Sequence, residues 1–163
     1  MTNGAYPAPD SVDEAELAAI CAAAQPHPLL ADIPAALRPW LLPVRWERQR
    51  LWSVRKPPRA LPIAELRWTY ELPWWRAGNR QWFQVTPRAY LDAPDEYPEH
   101  RRRTAAADLS YPIHVLVRRG RYVPMDGLHR TVRADQLGHD TIDAMVLDLA
   151  ELETCLLPAP RTP

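Results

Sequence analysis

Long hydrophobic runs are missing from this chain. No apolar stretch approaches the ~20 residues that a membrane-spanning helix needs, and the N-terminus lacks the basic segment followed by an apolar one that marks a secretory signal. A cytoplasmic protein with no membrane partner is the expectation. Cysteine is scarce as well: Cys21 and Cys155 are the only two in 163 residues. Thiols so far apart make neither a disulfide framework nor a paired metal motif, and both read as small buried hydrophobes. No two histidines stand at zinc-ligand spacing. Lysine is almost absent, Lys56 standing alone beside 19 Arg, and no excess charge of either sign exists, with 20 basic against 20 acidic residues.

What is present is 47% hydrophobic residues, 25% charged residues and 19 Pro, the composition of one modest domain with Pro-rich edges. The zero net charge hides a segregation: residues 1–40 carry about −4, 41–90 about +7, 91–130 about +1 and 131–163 about −4. A basic middle suits a nucleotide phosphate as well as nucleic acid. The acidic N-terminal helix and the basic middle could also pair within a chain or between two copies, as in a homodimer. All seven Trp lie between Trp40 and Trp82. They read as core and its cover, with base stacking as the other role open to one of them.

Local signals divide the chain into a helical extension over 1–43, a domain over 44–150 and a Pro-rich, frayed tail over 151–163. Ser11 with Glu14 forms a capping box before a helix over 13–24, and a short helix is predicted over 34–40, ended by Pro43. Residues 44–54 and 61–70 read as extended, and 72–97 as a long ordered loop. Pro98 opens a helix over 99–109, and Ile113 to Val117 begins a strand. Arg119-Gly120 turns the chain into a second strand over 122–125, where Pro124 indicates an edge. Asp126-Gly127 opens a helix over 128–137 that stops at Gly138, and Ile142 to Leu147 is a strand with the apolar run of a sheet covered on both faces. The fold class is α/β or α+β, a small mixed sheet flanked by helices.

The chemistry concentrates where strand meets helix, in Met125-Asp126-Gly127-Leu128-His129-Arg130-Thr131-Val132-Arg133. A Gly there lets a ligand approach the backbone amides of a helix start, whose dipole favours phosphate. Arg130 can add a fork of donors, with Arg133 on a neighbouring face. His129 is a candidate phosphate donor or proton carrier. Asp126 is a candidate metal ligand through water, a proton acceptor, or simply a helix cap. On this reading Gly127→Val blocks the ligand and leaves the fold largely intact. No second carboxylate stands out as a base, and Glu65 and Glu71 are no more than candidates. His100 with Arg101, Arg102 and Arg103 reads as a solvated helix face, His114 as structural, and His27 and His139 as turn residues.

The order helix, Leu109-Ser110-Tyr111-Pro112-Ile113, strand, Gly turn, strand, Asp126 to Arg130, helix, Leu137-Gly138, strand resembles the ParB/sulfiredoxin superfamily. The resemblance covers Leu61 to Leu147 loosely and Ala107 to Leu147 well. It implies a compact nucleotide-binding domain in which Gly127, Leu128, Arg130, Thr131 and Arg133 hold the phosphates of ATP or ADP, with CTP less expected. Asp126 and His129 take the catalytic roles, and Asp126 also holds Mg²⁺. Sulfiredoxins carry a catalytic Cys where this chain has Leu128, so sulfinic-acid reduction is not expected. Partition proteins continue into DNA-binding and dimerisation domains after this fold, and with 16 residues after Leu147 DNA binding of the partition type is not expected. Their Glu-Arg-Arg after the Gly is also replaced here by Leu128-His129-Arg130. Free-serine kinases of the superfamily have a turn that looks like Asp126 to Arg130. The implied activity is therefore Mg-dependent phosphotransfer to a small hydroxyl-bearing substrate, or nucleotide hydrolysis. The alternative is a non-catalytic ParB-like module that binds nucleic acid or a protein partner through the basic 41–90 region.

Overall fold

Ile113 to Val117 is a run rich in β-branched residues, and it becomes an inner strand. The computed structural model describes residues 10–161. In it β1 (Arg59–Pro62), β2 (Ile113–Arg118), β3 (Arg121–Asp126) and β4 (Thr141–Val146) form one sheet in the order β1-β4-β2-β3. The outer pairs β1/β4 and β2/β3 are antiparallel and the inner pair β2/β4 is parallel, so the sheet is mixed and the domain α+β, as expected. β3 lies at an edge, where the missing N–H of Pro124 costs no ladder bond.

Every residue of β2 is buried because both faces of the sheet are covered there. Ile113 and Val115 turn to one face and pack with Leu61, Ile63, Leu66, Ile142 and Ala134, the last from helix α5 (Leu128–Gln136). Leu116 turns to the other face. It packs with Leu17 and Cys21 of α1 (Glu14–Ala22), Leu51 of α2 (Arg48–Ser53), and Leu152 and Cys155 of α6 (Leu149–Cys155). Both cysteines are thus buried and unpaired, as the sequence indicated. A third cluster joins Tyr70, Trp75, Val85, Tyr90 and Val132, with Tyr90 from α3 (Pro87–Asp92). α4 (Pro98–Ala105) packs on α5. No helix of the described residues is long and apolar enough to cross a membrane.

The β2–β3 hairpin and α5 follow their local signals. Arg119 and Gly120 both have positive φ and form the hairpin turn. At the end of α5 the Gly138 amide bonds the Asp135 carbonyl and the His139 amide the Ala134 carbonyl, each at 3.0 Å, which closes the helix where Gly138 predicts.

Elsewhere tertiary contacts redirect the chain. Asp13, not Ser11, caps α1 by accepting from the Glu16 amide, while the Ser11 hydroxyl accepts from the Gly120 amide of the hairpin at 2.7 Å. Residues 34–41 form only successive turns, because Pro39 has no N–H with which to continue a helix. In the expected strand over 44–54, Val44 and Trp46 make single bridges to Pro26 and Leu156, and residues 48–53 form α2. β1 ends at Pro62 and two 3₁₀ turns follow, Ile63–Glu65 and Arg67–Glu71, in place of an extended segment. The expected loop over 72–97 contains α3, capped by Thr86 with Pro87 at its first position. β4 alternates, with Thr141 and Asp143 exposed and Ile142 and Ala144 buried, so its start is covered on one face only. The expected tail supplies most of α6, begun by a capping box between Asp148 and Glu151. Beyond it the Leu157 and Ala159 amides bond the carbonyls of Arg45 and Ala23. The final residues 162–163 of that tail lie outside the described residues.

Candidate functional site

β3 ends at Asp126, Gly127 reverses the chain and α5 begins at Leu128. Gly127 has φ +106°, a left-handed conformation that side chains rarely adopt, and a Cβ here would lie 2.4 Å from Ile113 Cγ2. The glycine is therefore required by backbone conformation and by packing on β2, not only by ligand approach, and Gly127→Val does not leave the fold intact. The Thr131 amide is the first to close a helical bond, onto the Gly127 carbonyl at 3.0 Å. The amides of Leu128, His129 and Arg130 stay outside that ladder, and no side chain caps them.

Arg130 is engaged by its own protein. Its Nη1 donates to the carbonyls of Pro112 at 2.8 Å and Tyr111 at 3.2 Å, and its Nη2 donates to Asp126 Oδ2 at 2.9 Å. It clamps the segment that enters β2 to the turn that leaves β3. Asp126 Oδ2 also accepts from Trp52 Nε1 at 2.9 Å, and Arg48 Nε lies 3.8 Å from Oδ1. Asp126 does not cap α5, since Gly127 occupies the cap position.

His129 forms a pair with His100 of α4. His129 Nε2 and His100 Nδ1 are 3.1 Å apart, and His100 Nε2 lies 2.8 Å from the Arg76 carbonyl. Both rings lie nearly parallel to the Trp75 indole, at 4.2 Å for His129 and 4.6 Å for His100. Burial, then His100 and Arg103, push the His129 imidazole down to about 3, and burial lowers His100. His129 is neutral near pH 7 and is no cationic phosphate donor. His100 is buried, so it does not share a solvated face with the exposed Arg101, Arg102 and Arg103.

The turn at Gly127 and the start of α5 line a cavity of about 810 Å³. Asp126, Gly127, Leu128, His129 and Arg130 form one wall, with Ala106, Ala107 and Arg103 at the end of α4, Tyr111 and Pro112 before β2, and Trp52 and Arg55 around the end of α2. Trp52 and Tyr111 are 51% and 64% exposed, and Arg55 and Arg103 are exposed as well. His114, the strand residue read as structural, is 4% exposed, lines the cavity, and has a buried Nδ1 without a partner.

Two predicted phosphate residues point elsewhere. Thr131 is buried and its hydroxyl donates back to the Gly127 carbonyl at 3.2 Å, while Arg133 Nη1 reaches the Thr104 carbonyl of α4 at 3.4 Å. The helical turn carries both past the cavity. Neither Glu65 nor Glu71 lines it, and Glu71 pairs with Arg88. The sequence places Arg103 on a solvated face and His114 in a structural role, and it sets Trp52 and Arg55 in the Trp-rich basic region rather than beside the Asp126 turn; Tyr111 lies in the stretch that carries the resemblance.

The donor set at Asp126 does not fit a divalent cation. Hard cations need several oxygen ligands. Here Oδ2 is held by two N–H donors and Oδ1 faces a guanidinium, and the other carboxylate of the cavity wall, Asp108, is bonded to the amide and hydroxyl of Ser110. Among the described residues no three His, Cys, Asp or Glu gather as a metal-holding group. No family model matches the chain, and comparison with curated proteins and with solved structures finds no match.

Proposed function

We propose that the cavity at the start of α5 binds a nucleotide, ATP or ADP before CTP, in a domain of the ParB/sulfiredoxin kind. The observation that carries this reading is the meeting of three uncapped helix amides with Arg55, Arg103, Trp52 and Tyr111 around one cavity of about 810 Å³. Oriented amides and guanidinium groups bind phosphate oxygens, and exposed aromatic faces stack on a planar base. The volume falls within the range of small-molecule sites, roughly 300–1,000 Å³.

In this reading Arg55 and Arg103 meet the phosphates, while Arg130 holds the turn in place. Phosphoryl transfer to a hydroxyl would need a base in this cavity. Asp126 would have to release two hydrogen-bond donors to act as a base, and His129, pushed down to about 3 chiefly by burial, is a weak one. Calorimetric titration with ATP, ADP, AMP and CTP, each with and without Mg²⁺, tests the reading on wild type and on Arg55→Ala/Arg103→Ala. Saturable binding of one nucleotide, weakened about tenfold or more in the double variant, is expected. Absence of binding to all four would sink it. Salt-sensitive binding of random-sequence DNA in their place would move the assignment to the nucleic-acid module.

A further inference from the structure

The Arg76 carbonyl oxygen can only accept, so the His100 Nε2 that approaches it to 2.8 Å carries a proton. In a neutral imidazole the other nitrogen is then a bare lone pair. His100 Nδ1 therefore accepts, and its neighbour at 3.1 Å, His129 Nε2, donates. The proton order runs from His129 Nε2–H to His100 Nδ1, and from His100 Nε2–H to the Arg76 oxygen. It leaves His129 Nδ1 unprotonated. Burial and the nearby Arg103 keep both rings neutral. Turning either ring over would replace a bonded nitrogen with a C–H group, and the Trp75 indole lies within 15° of the plane of both.

His129 lines the cavity, and with Nε2 engaged by His100 its one remaining polar ring atom is Nδ1. We propose that His129 presents a fixed hydrogen-bond acceptor to the cavity, so that the ligand group seated against it is a donor, a hydroxyl or an amino group, and not a phosphate oxygen. An ionised phosphate oxygen at this point would set lone pair against lone pair. The phosphates accordingly take their donors from Arg55, Arg103 and the helix amides, and the part of the ligand next to His129 Nδ1 is a sugar hydroxyl or a base amino group. The identity of the ligand rests on the nucleotide reading; the acceptor does not.

The protonation state can be observed directly. Two-bond ¹H–¹⁵N correlation spectra of the uniformly labelled full chain at pH 7 distinguish protonated from bare ring nitrogens, and the spectra of His129→Phe and His100→Phe assign the signals. His129 should show a protonated Nε2 and a bare Nδ1. A protonated Nδ1, or a charged ring, overturns the proposal whatever ligand binds. A second arm titrates ATP and its analogues lacking in turn the 6-amino group, the 2′-hydroxyl and the 3′-hydroxyl against wild type and against His129→Phe, which keeps a flat ring on Trp75. One analogue should bind wild type about tenfold or more weakly than ATP does, and bind His129→Phe as well as ATP does. Equal binding of all four to wild type, or a deficit that persists in His129→Phe, overturns the proposal. If no nucleotide binds wild type while His129 Nδ1 is bare, the acceptor stands and the nucleotide reading alone falls.

Discussion

Arg130 and Asp126 face each other at 2.9 Å across the Gly127 turn, with only 15% and 17% of their side chains exposed. Removing the guanidinium leaves the Asp126 charge with only the Trp52 indole N–H and the more distant Arg48, and leaves the Pro112 carbonyl without its donor. Arg130→Ala should therefore cost about 3 kcal/mol in urea denaturation, and Asp126→Asn, which removes a charge but keeps an acceptor, should cost less. Unchanged stability with lost nucleotide binding would instead make Arg130 a ligand contact.

Gly127 and Gly120 both have positive φ, but their surroundings differ. Nothing lies within 4 Å of a Cβ built at Gly120, whereas one at Gly127 meets Ile113 Cγ2 at 2.4 Å. Gly120→Ala should lose about 1 kcal/mol from its left-handed backbone alone. Gly127→Ala should lose clearly more, because backbone strain and overpacking add. Equal losses in thermal unfolding would show that Ile113 moves aside without cost.

Acid should weaken the fold before its carboxylates titrate. The His129 imidazole, ordinarily at 6.5, is held down to about 3, chiefly by burial, and His27, His100 and His114 are lowered for the same reason. The unfolded chain takes up protons near pH 6.5 and the folded chain resists them. Stability is therefore whole above 6.5 and is lost as the pH falls toward 3. The lowered carboxylates Glu14, Glu99, Asp108 and Asp135 act below their ordinary values of 4.5 and 3.8. Between pH 6.5 and 4.5 the urea midpoint should fall in wild type and fall less in His129→Phe. A flat wild-type midpoint would contradict this.

Glu14 ties α1 to the sheet through two bonds to Arg118, at 3.0 and 2.7 Å. Arg118 is 8% exposed at its side chain and Glu14 37%, so solvent moderates the pair without removing its weight. Glu14→Ala should cost about 2 kcal/mol by urea denaturation, and faster hydrogen exchange should be confined to α1. Global acceleration of exchange would show that α1 does not open separately.

What could be read along the chain was whatever neighbouring residues decide. The Arg119-Gly120 turn, the Gly138 stop, the edge position of Pro124 and the strand at Ile113 follow from backbone chemistry within a few residues. The α6 capping box is equally local, with Asp148 three residues before Glu151, but the prolines that follow read as a tail. α2 was different. Its one buried residue, Leu51, gives no helical period, and packing across the sheet on Leu116 and Leu152 decides its conformation. At the site, the Asp126 to Arg130 wall was found, but not the partners that fix what it does. His100 stands 29 positions before His129, and Trp52 stands 74 before Asp126. Such pairings arise only once the chain is folded, and they turn two residues chosen for reactivity into an anchored carboxylate and a neutral acceptor.

The stitching of Leu157 to Arg45, Ala159 to Ala23 and Glu47 to Cys155 has a consequence for synthesis. Those bonds hold residues from the first third of the chain, and their partners are made only after the whole sheet and α5. A ribosome that has released the sheet and α5 has not yet supplied the strap that fastens α2 and the end of α1. Until residues 155–159 emerge, the face of β2 that carries Leu116 stays partly uncovered, and a nascent chain stalled before them should be the species most in need of a chaperone.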